Sequence, residues 1–319
     1  MKKRLFQIFV IFFSSFITIV FMEIFLIIKN KYIIDYDIEM WKYTKLLKER
    51  SSNPNIGHIH VKNKTAILQK TEIRINNFGM RGNDLSLKDL ENYDRKILIL
   101  GSSVALGWGV DQKNTFSHII EKKLNEQDVS SIILNAGVGN YNTKRYVSNY
   151  FENLKYLKPD EILILFFVND TEILENNYNN FFIKNFQLAV LLWKYFISFE
   201  EKLNIQNIEK YYLQKYENGF KGFEDTKKNL IKLHEHCKNQ NIKCSLILMP
   251  DINYLNPYKL KFINNKMISF SKEIGLNYLD LLPFFENKNS ENLLNKYNDP
   301  HPNIIGHQII AKAIFEYLR

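Results

Sequence analysis

Lys96-Ile97-Leu98-Ile99-Leu100 is a short apolar run that ends in Gly101-Ser102-Ser103. A run of this length, closed by small turn residues, reads as a strand buried on both faces. Outward from it, strand-like runs recur from Ser131 to Leu134, Glu161 to Phe167 and Lys243 to Met249, with a weaker one from Leu276 to Leu279. Between them lie segments of helical spacing, from Thr115 to Leu124, Lys144 to Leu157 and Thr226 to Lys238. Apolar strands alternating with helices predict an α/β fold whose parallel sheet, of about five strands, is covered on both faces. The ligand crevice of such a sheet lies beyond the carboxyl ends of the strands. Ser103 follows the first strand, Gly137-Val138-Gly139-Asn140 the second, and Asn169-Asp170 the third.

An aromatic-rich insertion runs from Thr171 to about Asp225 and contains Phe186-Gln187-Leu188-Ala189-Val190-Leu191-Leu192-Trp193. At this length it needs helices of its own. Three roles fit its apolar stretch: a lid over the site, a surface touching a membrane, or a helix packed on the body.

At the other end, Leu5 to Ile28 is apolar apart from Gln7, Ser14, Ser15, Thr18 and Glu23, and follows Met1-Lys2-Lys3-Arg4. It is long enough to cross a bilayer as a helix. A cleaved signal peptide has a shorter apolar core and a small-residue cleavage site, whereas this run ends in Ile27-Ile28-Lys29-Asn30-Lys31. Residues 1–29 therefore read as an uncleaved, single-pass membrane anchor. The basic flank predicts a cytoplasmic N-terminus and an extracytoplasmic body, periplasmic or at the cell surface, although Lys29, Lys31, Lys42, Lys45 and Lys48 reduce the contrast in charge. Residues 30–94 are polar and mixed, a stalk and lead-in with short strands such as Glu72-Ile73-Arg74-Ile75, and residues 95–319 form the main domain.

With 319 residues, 45% of them hydrophobic, the chain can hold one large α/β domain plus extras. Its net charge of +9 comes from Lys and Arg scattered among Asp and Glu, a solvated surface rather than a nucleic-acid footprint. Cys237 and Cys244 flank a helix-to-strand connection; a disulfide is compatible with this, and two half-buried thiols are the simpler reading. His58 and His60 alternate on a short strand with no third ligand near them in sequence, and read as two surface histidines. A dinucleotide fingerprint fails because Gly107-Trp108-Gly109 is followed at the third position by Gln112, and a P-loop fails because no lysine follows Gly107.

The chemistry gathers at Asn298-Asp299-Pro300-His301-Pro302-Asn303-Ile304-Ile305-Gly306-His307, which sets a carboxylate beside an imidazole before a final helix. Serine is a poor nucleophile at its own pKa. It needs a neutral imidazole to take its proton, a carboxylate to orient that imidazole, and donors for the developing oxyanion. Ser103 is the candidate hydroxyl. Taken alone, Gly-Ser-Ser is a strand-ending turn and Asn169 a turn former or helix cap.

Four blocks over roughly residues 95 to 319 resemble the SGNH hydrolases, also called the GDSL lipase/esterase family, in a membrane-anchored form. Ile99-Leu100-Gly101-Ser102-Ser103-Val104-Ala105-Leu106-Gly107-Trp108-Gly109-Val110 is similar to the family's Gly-Asp-Ser block and Gly-Trp-Gly turn, with Ser103 at the nucleophile and Ser102 in place of Asp. Asn135-Ala136-Gly137-Val138-Gly139-Asn140-Tyr141-Asn142-Thr143 resembles the glycine block; counted without a gap, the oxyanion glycine falls on Asn140, with Gly139 just before it, and either amide could serve. Phe166-Phe167-Val168-Asn169-Asp170 is like Gly-x-Asn-Asp with Phe167 in the glycine position, and Asn169 matches the oxyanion asparagine. His301 matches the general base. The usual acid position, three residues before it, holds Asn298; related acyl esterases and acetyltransferases of alginate-type polysaccharide systems use Asp-x-His, which assigns the acid to Asp299. Upstream, Asn76-Asn77-Phe78-Gly79-Met80-Arg81-Gly82 resembles a structural segment that precedes the first block in many membrane-anchored members. His307 reads as a helix residue with a local hydrogen bond rather than a second base.

The resemblance implies a flavodoxin-like α/β/α fold and a serine-dependent acyl ester hydrolase. Its oxyanion would be held by the amides of Ser103 and of Gly139 or Asn140 with the Asn169 side chain. It implies no metal or cofactor. The implied substrate is an acylated glycan or lipid of the envelope, with O-acetyl or short-acyl groups. The same triad would serve an O-acyltransferase to polysaccharide, and the departures at Ser102, Asn140, Phe167 and Asn298 leave room for a catalytically silent envelope-assembly protein.

Overall fold

A computed structural model describes residues 2–127, 129–174, 180–204, 207–296 and 299–319, without the side chains of 198–204. In chain order the strands are β1 (Lys48–Arg50), β2 (His58–His60), β3 (Lys64–Leu68), β4 (Thr71–Ile75), β5 (Arg95–Gly101), β6 (Ser131–Asn135), β7 (Glu161–Phe167), β8 (Lys243–Met249) and β9 (Asn277–Asp280). The helices are α1 (Lys2–Tyr32), α2 (Tyr36–Leu47), α3 (Leu87–Glu91), α4 (Ser103–Leu106), α5 (Phe116–Asn125), α6 (Thr143–Asn149), α7 (Phe181–Asn185), α8 (Gln187–Asn204), α9 (Ile208–Lys215), α10 (Lys221–Asn239), α11 (Lys261–Ile274), α12 (Leu282–Phe285) and α13 (Ile304–Leu318). The chain divides into two units, Met1–Lys45 with Asn177–Gln206, and Leu46–Asn176 with Asn207–Arg319.

In the first unit, α1 is the one helix among the described residues long and apolar enough to cross a membrane, with a mean hydropathy of 2.5 over its best window. The middle of the insertion, α7 and α8, belongs to this unit.

The second unit is built on the five-stranded parallel sheet expected from the sequence, in the order β6-β5-β7-β8-β9. Side chains alternate across a strand, so Leu98 and Leu100 of β5 enter one core while Ile97 and Ile99 enter the other. The first core is closed by Tyr146 and Val147 of α6, Leu230 and Leu233 of α10, and Ile263 and Met267 of α11. The second is closed by Phe116 and Ile120 of α5 and by Ile310 and Ile314 of α13. Full burial of each such side chain contributes about 1.5–3 kcal/mol, and together they make a three-layer α/β/α arrangement. The order reverses at β5, whose neighbours β6 and β7 lie on opposite sides, and a switch point of this kind is where open α/β sheets place their ligand site, beyond the carboxyl ends of the strands.

Two local expectations change. The helical spacing from Lys144 to Leu157 is not one helix: α6 ends at Asn149, and a wider turn, Tyr150–Leu154, and a 3-10 turn, Lys155–Leu157, follow. The apolar spacing survives because Tyr150, Leu154 and Leu157 all still face the core. His58 and His60 are not surface residues. Residues two apart on a strand share a face, and here that face is inward, leaving them 6% and 2% exposed. Cys237 and Cys244 are both buried and form no disulfide.

Burial holds three histidines neutral. It pushes His60 and His307 down to about 3 and His58 well below its ordinary value, with nearby cations adding to the effect. Below the unfolded value near 6.5 the unfolded chain takes up protons that these folded sites refuse, so each loses stability as pH falls from there, at about 1.4 kcal/mol per pH unit. Buried Asp170 and Asp251, whose carboxyls are raised by burial, act in the opposite sense, so the contribution is read as a difference. Denaturant melts of the wild type and His307→Asn between pH 4 and 6 should show a wild-type slope steeper by about 1.4 kcal/mol per pH unit. Parallel slopes would mean that His307 titrates normally in the fold.

Candidate active site

The end of β5 exposes Ser103. Gly101 closes the strand, and α4 starts at Ser103. Ser103 Oγ lies 2.7 Å from His301 Nε2, and His301 Nδ1 lies 2.6 Å from Asp299 Oδ1. An ionised carboxylate only accepts hydrogen bonds, so Nδ1 carries the ring proton and Nε2 turns its lone pair to the Ser103 hydroxyl. The same Oδ1 accepts the His301 backbone N–H at 2.9 Å. The two-residue spacing thus closes a tight loop around Pro300 in which one oxygen orients both the ring and its backbone.

The other carboxylate oxygen is also held. Asp299 Oδ2 accepts from Trp108 Nε1 at 2.9 Å and from Gln69 Nε2 at 2.6 Å. Four donors therefore satisfy a carboxylate that is 2% exposed, as burial of a charge demands. Asn298 lies outside the described residues.

Each donor has its own support. Trp108 sits between Gly107 and Gly109, whose φ angles of 79° and 77° favour glycine. A Cβ on Gly109 would lie 2.3 Å from Asn295 Nδ2. Asn295 bridges the two loops: its side chain donates to Trp108 O at 3.1 Å and its backbone N–H to His301 O at 2.9 Å. Beneath the turn, the buried Arg81 guanidinium donates to the carbonyls of Leu106 (2.8 Å), Gly107 (2.5 Å) and Val110 (2.5 Å). The Arg81 N–H pairs with Asn135 O at 3.0 Å, joining this residue to the end of β6. Gln69 comes from the β3–β4 turn, where Gln69 and Lys70 have φ of 52° and 61°. Asn-Gly or Asp-Gly ordinarily fills such a turn, and non-glycine residues there cost about 1–2 kcal/mol each. The strained turn delivers Gln69 to Asp299.

The loop after β6 is clamped from the other side. Asn140 has φ of 63°, a geometry asparagine tolerates. Gly139 O accepts from His58 Nε2 at 3.0 Å and Lys48 Nζ at 3.3 Å, while Arg145 Nη1 donates to Asn140 O at 3.1 Å. Since His58 Nε2 must donate to a carbonyl, its Nδ1 is the acceptor, and Arg145 Nη1 faces it at 3.4 Å. Burial and the Arg145 charge lower Lys48 to about 7. At its start the loop is tied to α4: Asn135 Nδ2 donates to Ala105 O at 2.8 Å, and a Cβ on Gly137 would lie 2.2 Å from Leu106 N.

Asn169 follows β7, half-buried, and its side-chain oxygen has no hydrogen-bond partner among the described residues. Asp170 behind it accepts from the Tyr146 hydroxyl at 3.1 Å and the Phe167 N–H at 3.3 Å, fixing the turn. Phe167 packs against both cores, and Ser102 is 4% exposed. His307 is fully buried, stacked on Phe116 at 5.7 Å and accepting the Phe116 N–H at 3.2 Å. Its bond joins α13 to α5 and is not local. Asn303 caps α13 through the N–H groups of Ile305 and Gly306 and donates to Asn292 O and Leu294 O, pinning the His301 loop.

The sequence-predicted Ser103, Asp299 and His301 thus meet at hydrogen-bond distance. Lys48, His58, Gln69 and Arg145 were missed as supporting residues. Positive φ at a polar turn gives Gln69 no sequence signature, Lys48 and His58 act on a backbone carbonyl remote in sequence, and Arg145 acts on the nearby Asn140 carbonyl only through the turn that the fold imposes.

The model of the GDSL-like lipase/acylhydrolase family matches residues 99–309. No curated protein matches the sequence. Among solved structures, an acetyl xylan esterase, AlAXEase, aligns over 70% of this chain and 100% of its own at 15% identity, with a TM-score of 0.45. An acetylxylan esterase from Geobacillus stearothermophilus aligns over 70% and 94% at 15% identity, TM-score 0.47. The psychrotrophic esterase EstA from Pseudoalteromonas sp. aligns over 70% and 99% at 15% identity, TM-score 0.44.

Proposed function

Because the chain belongs to the GDSL-like lipase/acylhydrolase family, we propose that it hydrolyses acyl esters with Ser103 as nucleophile, His301 as general base and Asp299 as the acid that orients it. The observation that carries this is the unbroken relay from Ser103 Oγ through His301 to a carboxylate engaged on both oxygens. Ser103 Oγ attacks the ester carbonyl carbon as its proton passes to His301 Nε2. The imidazolium, facing Asp299, returns that proton to the leaving alcohol. Water then enters, loses a proton to His301 and cleaves the acyl-enzyme, releasing the acid and restoring Ser103.

The oxyanion would be held by the Ser103 and Asn140 amides with the Asn169 side chain. Support for Asn140 over Gly139 comes from the peptide they share. A trans peptide points its carbonyl and its N–H in opposite directions. His58 and Lys48 hold the carbonyl end inward, which turns the Asn140 N–H the other way, and Asn140 is exposed. One such donor contributes about 10²–10³-fold in kcat.

We assign α1 as an uncleaved single-pass anchor with the body outside the membrane, which holds the enzyme at the envelope. Acylated envelope glycans or lipids carrying O-acetyl or other short acyl groups are the substrates proposed on that ground. Turnover of a chromogenic acetyl ester by the full chain in detergent tests the reading: turnover should be lost in Ser103→Ala, and its persistence there would refute it.

A further inference from the structure

The first unit holds a second apolar element besides α1. The segment Gln187–Ile197 of α8 is apolar but too short to cross a bilayer. It presents Leu192, Tyr195 and Phe196 at helical spacing, with Trp193 beside them, and α7 before it presents Phe181 and Phe182. These six side chains are between 46% and 69% exposed, an uncovered aromatic surface.

The start of α8 is fastened to α1 by a group that would otherwise be costly. Glu23 lies within the apolar run of α1, where a carboxylate is disfavoured unless paired. Its two oxygens accept the N–H groups of Gln187 and Leu188, both at 2.9 Å. These are among the orphan donors of the helix N-terminus, the end that favours negative charge. Asn30 Nδ2 donates to Gln187 Oε1 at 2.7 Å, Trp41 Nε1 to Ile183 O at 2.8 Å, and Lys194 pairs with Asp37 at 3.1 Å. Glu23 precedes Ile28, the end of the apolar run, by five residues, which is roughly 7–8 Å of helix. The N-terminus of α8 is therefore attached below the end of the span.

We propose that α7 and the apolar part of α8 form a membrane foot, lying in the headgroup and acyl boundary of the bilayer that α1 crosses. This rests on the reading of α1 as a membrane span. The occupant of the aromatic surface is lipid: the surface is continuous with the span through Glu23, and Trp193 and Tyr195 pair an apolar body with a polar tip, the residue types that gather at membrane interfaces. Of the three roles open to the insertion, the foot is its membrane-touching one.

The test uses the full chain in phosphatidylcholine–phosphatidylglycerol vesicles, with an environment-sensitive fluorophore on Phe196→Cys or on Phe12→Cys in the anchor. The native cysteines are buried. Lipids carrying a nitroxide near the headgroup or deep in the acyl chain act as quenchers, against vesicles without nitroxide. The Phe12 label should lose most of its fluorescence to the deep nitroxide and the Phe196 label most of its fluorescence to the shallow one. A quenched Phe12 label with an unquenched Phe196 label would overturn the foot and leave the anchor standing. Neither label quenched would overturn both. A Phe196 label shielded from aqueous iodide but insensitive to lipid nitroxide would overturn lipid in favour of a protein partner.

Discussion

Asp299→Asn is expected to lower kcat for ester hydrolysis about 10⁴-fold with little change in KM. The carboxylate accepts on both oxygens, from His301 on one side and from Trp108 and Gln69 on the other. An amide offers one acceptor and one donor group. If its NH₂ faces Trp108 and Gln69, three donors crowd together; if it faces His301, the ring takes the wrong tautomer and Nε2–H points at Ser103. The crowding disfavours the first orientation; in the second the Trp108 and Gln69 bonds are kept and the base is lost, so circular dichroism should change little. The same experiment settles the unusual spacing. Adding Asn298→Asp to Asp299→Asn should leave activity low, whereas recovery to near the wild-type rate would move the acid to the position three before His301.

Arg81→Met is expected to cost about 3–5 kcal/mol of stability. The guanidinium is 5% exposed and binds three carbonyls of the turn that carries Trp108, and a methionine fills the volume but leaves them without those donors. At about 2–4 °C per kcal/mol for a unit of this size, the midpoint should fall by roughly 6–20 °C. Below that midpoint kcat should also fall, because a loosened turn weakens the Trp108 hydrogen bond to Asp299. Arg81→Lys keeps the charge but lacks the planar fork that spans several acceptors, so it should recover only part of the stability. A thermal melt with kcat measured in the folded range checks both; an unchanged midpoint would remove Arg81 from the support of the turn.

The contrast between Arg81 and β5 marks how far the sequence could be read. Ile97, Leu98, Ile99 and Leu100 state their burial in their own pattern, because a strand covered on both faces needs no polar side. The same local logic put Ser103, Asn140 and Asn169 at strand ends. Asp299 was legible as a carboxylate beside an imidazole, but its choice over Asn298 depended on family precedent. What the pattern did not carry was support from a distance. Gln69 reaches Asp299 from a turn 230 residues away, and His58 reaches Gly139 across 81. Such contacts are products of the tertiary fold. His58 and His60 were misplaced for a related reason: two alternating histidines have the same sequence pattern whether their shared face is wet or buried, and only the packing of β2 decides it.

The central claim is that Ser103, activated by His301, is the nucleophile of an ester hydrolase. The measurement that tests it most directly is the initial rate of chromogenic acetyl ester hydrolysis by equal amounts of folded wild type, Ser103→Ala and His301→Ala full-length chain. The account predicts clear turnover by the wild type and a loss of about 10⁴-fold or more in each variant, with the double variant no worse than either alone because the residues act as one unit. Equal rates in all the chains would contradict it.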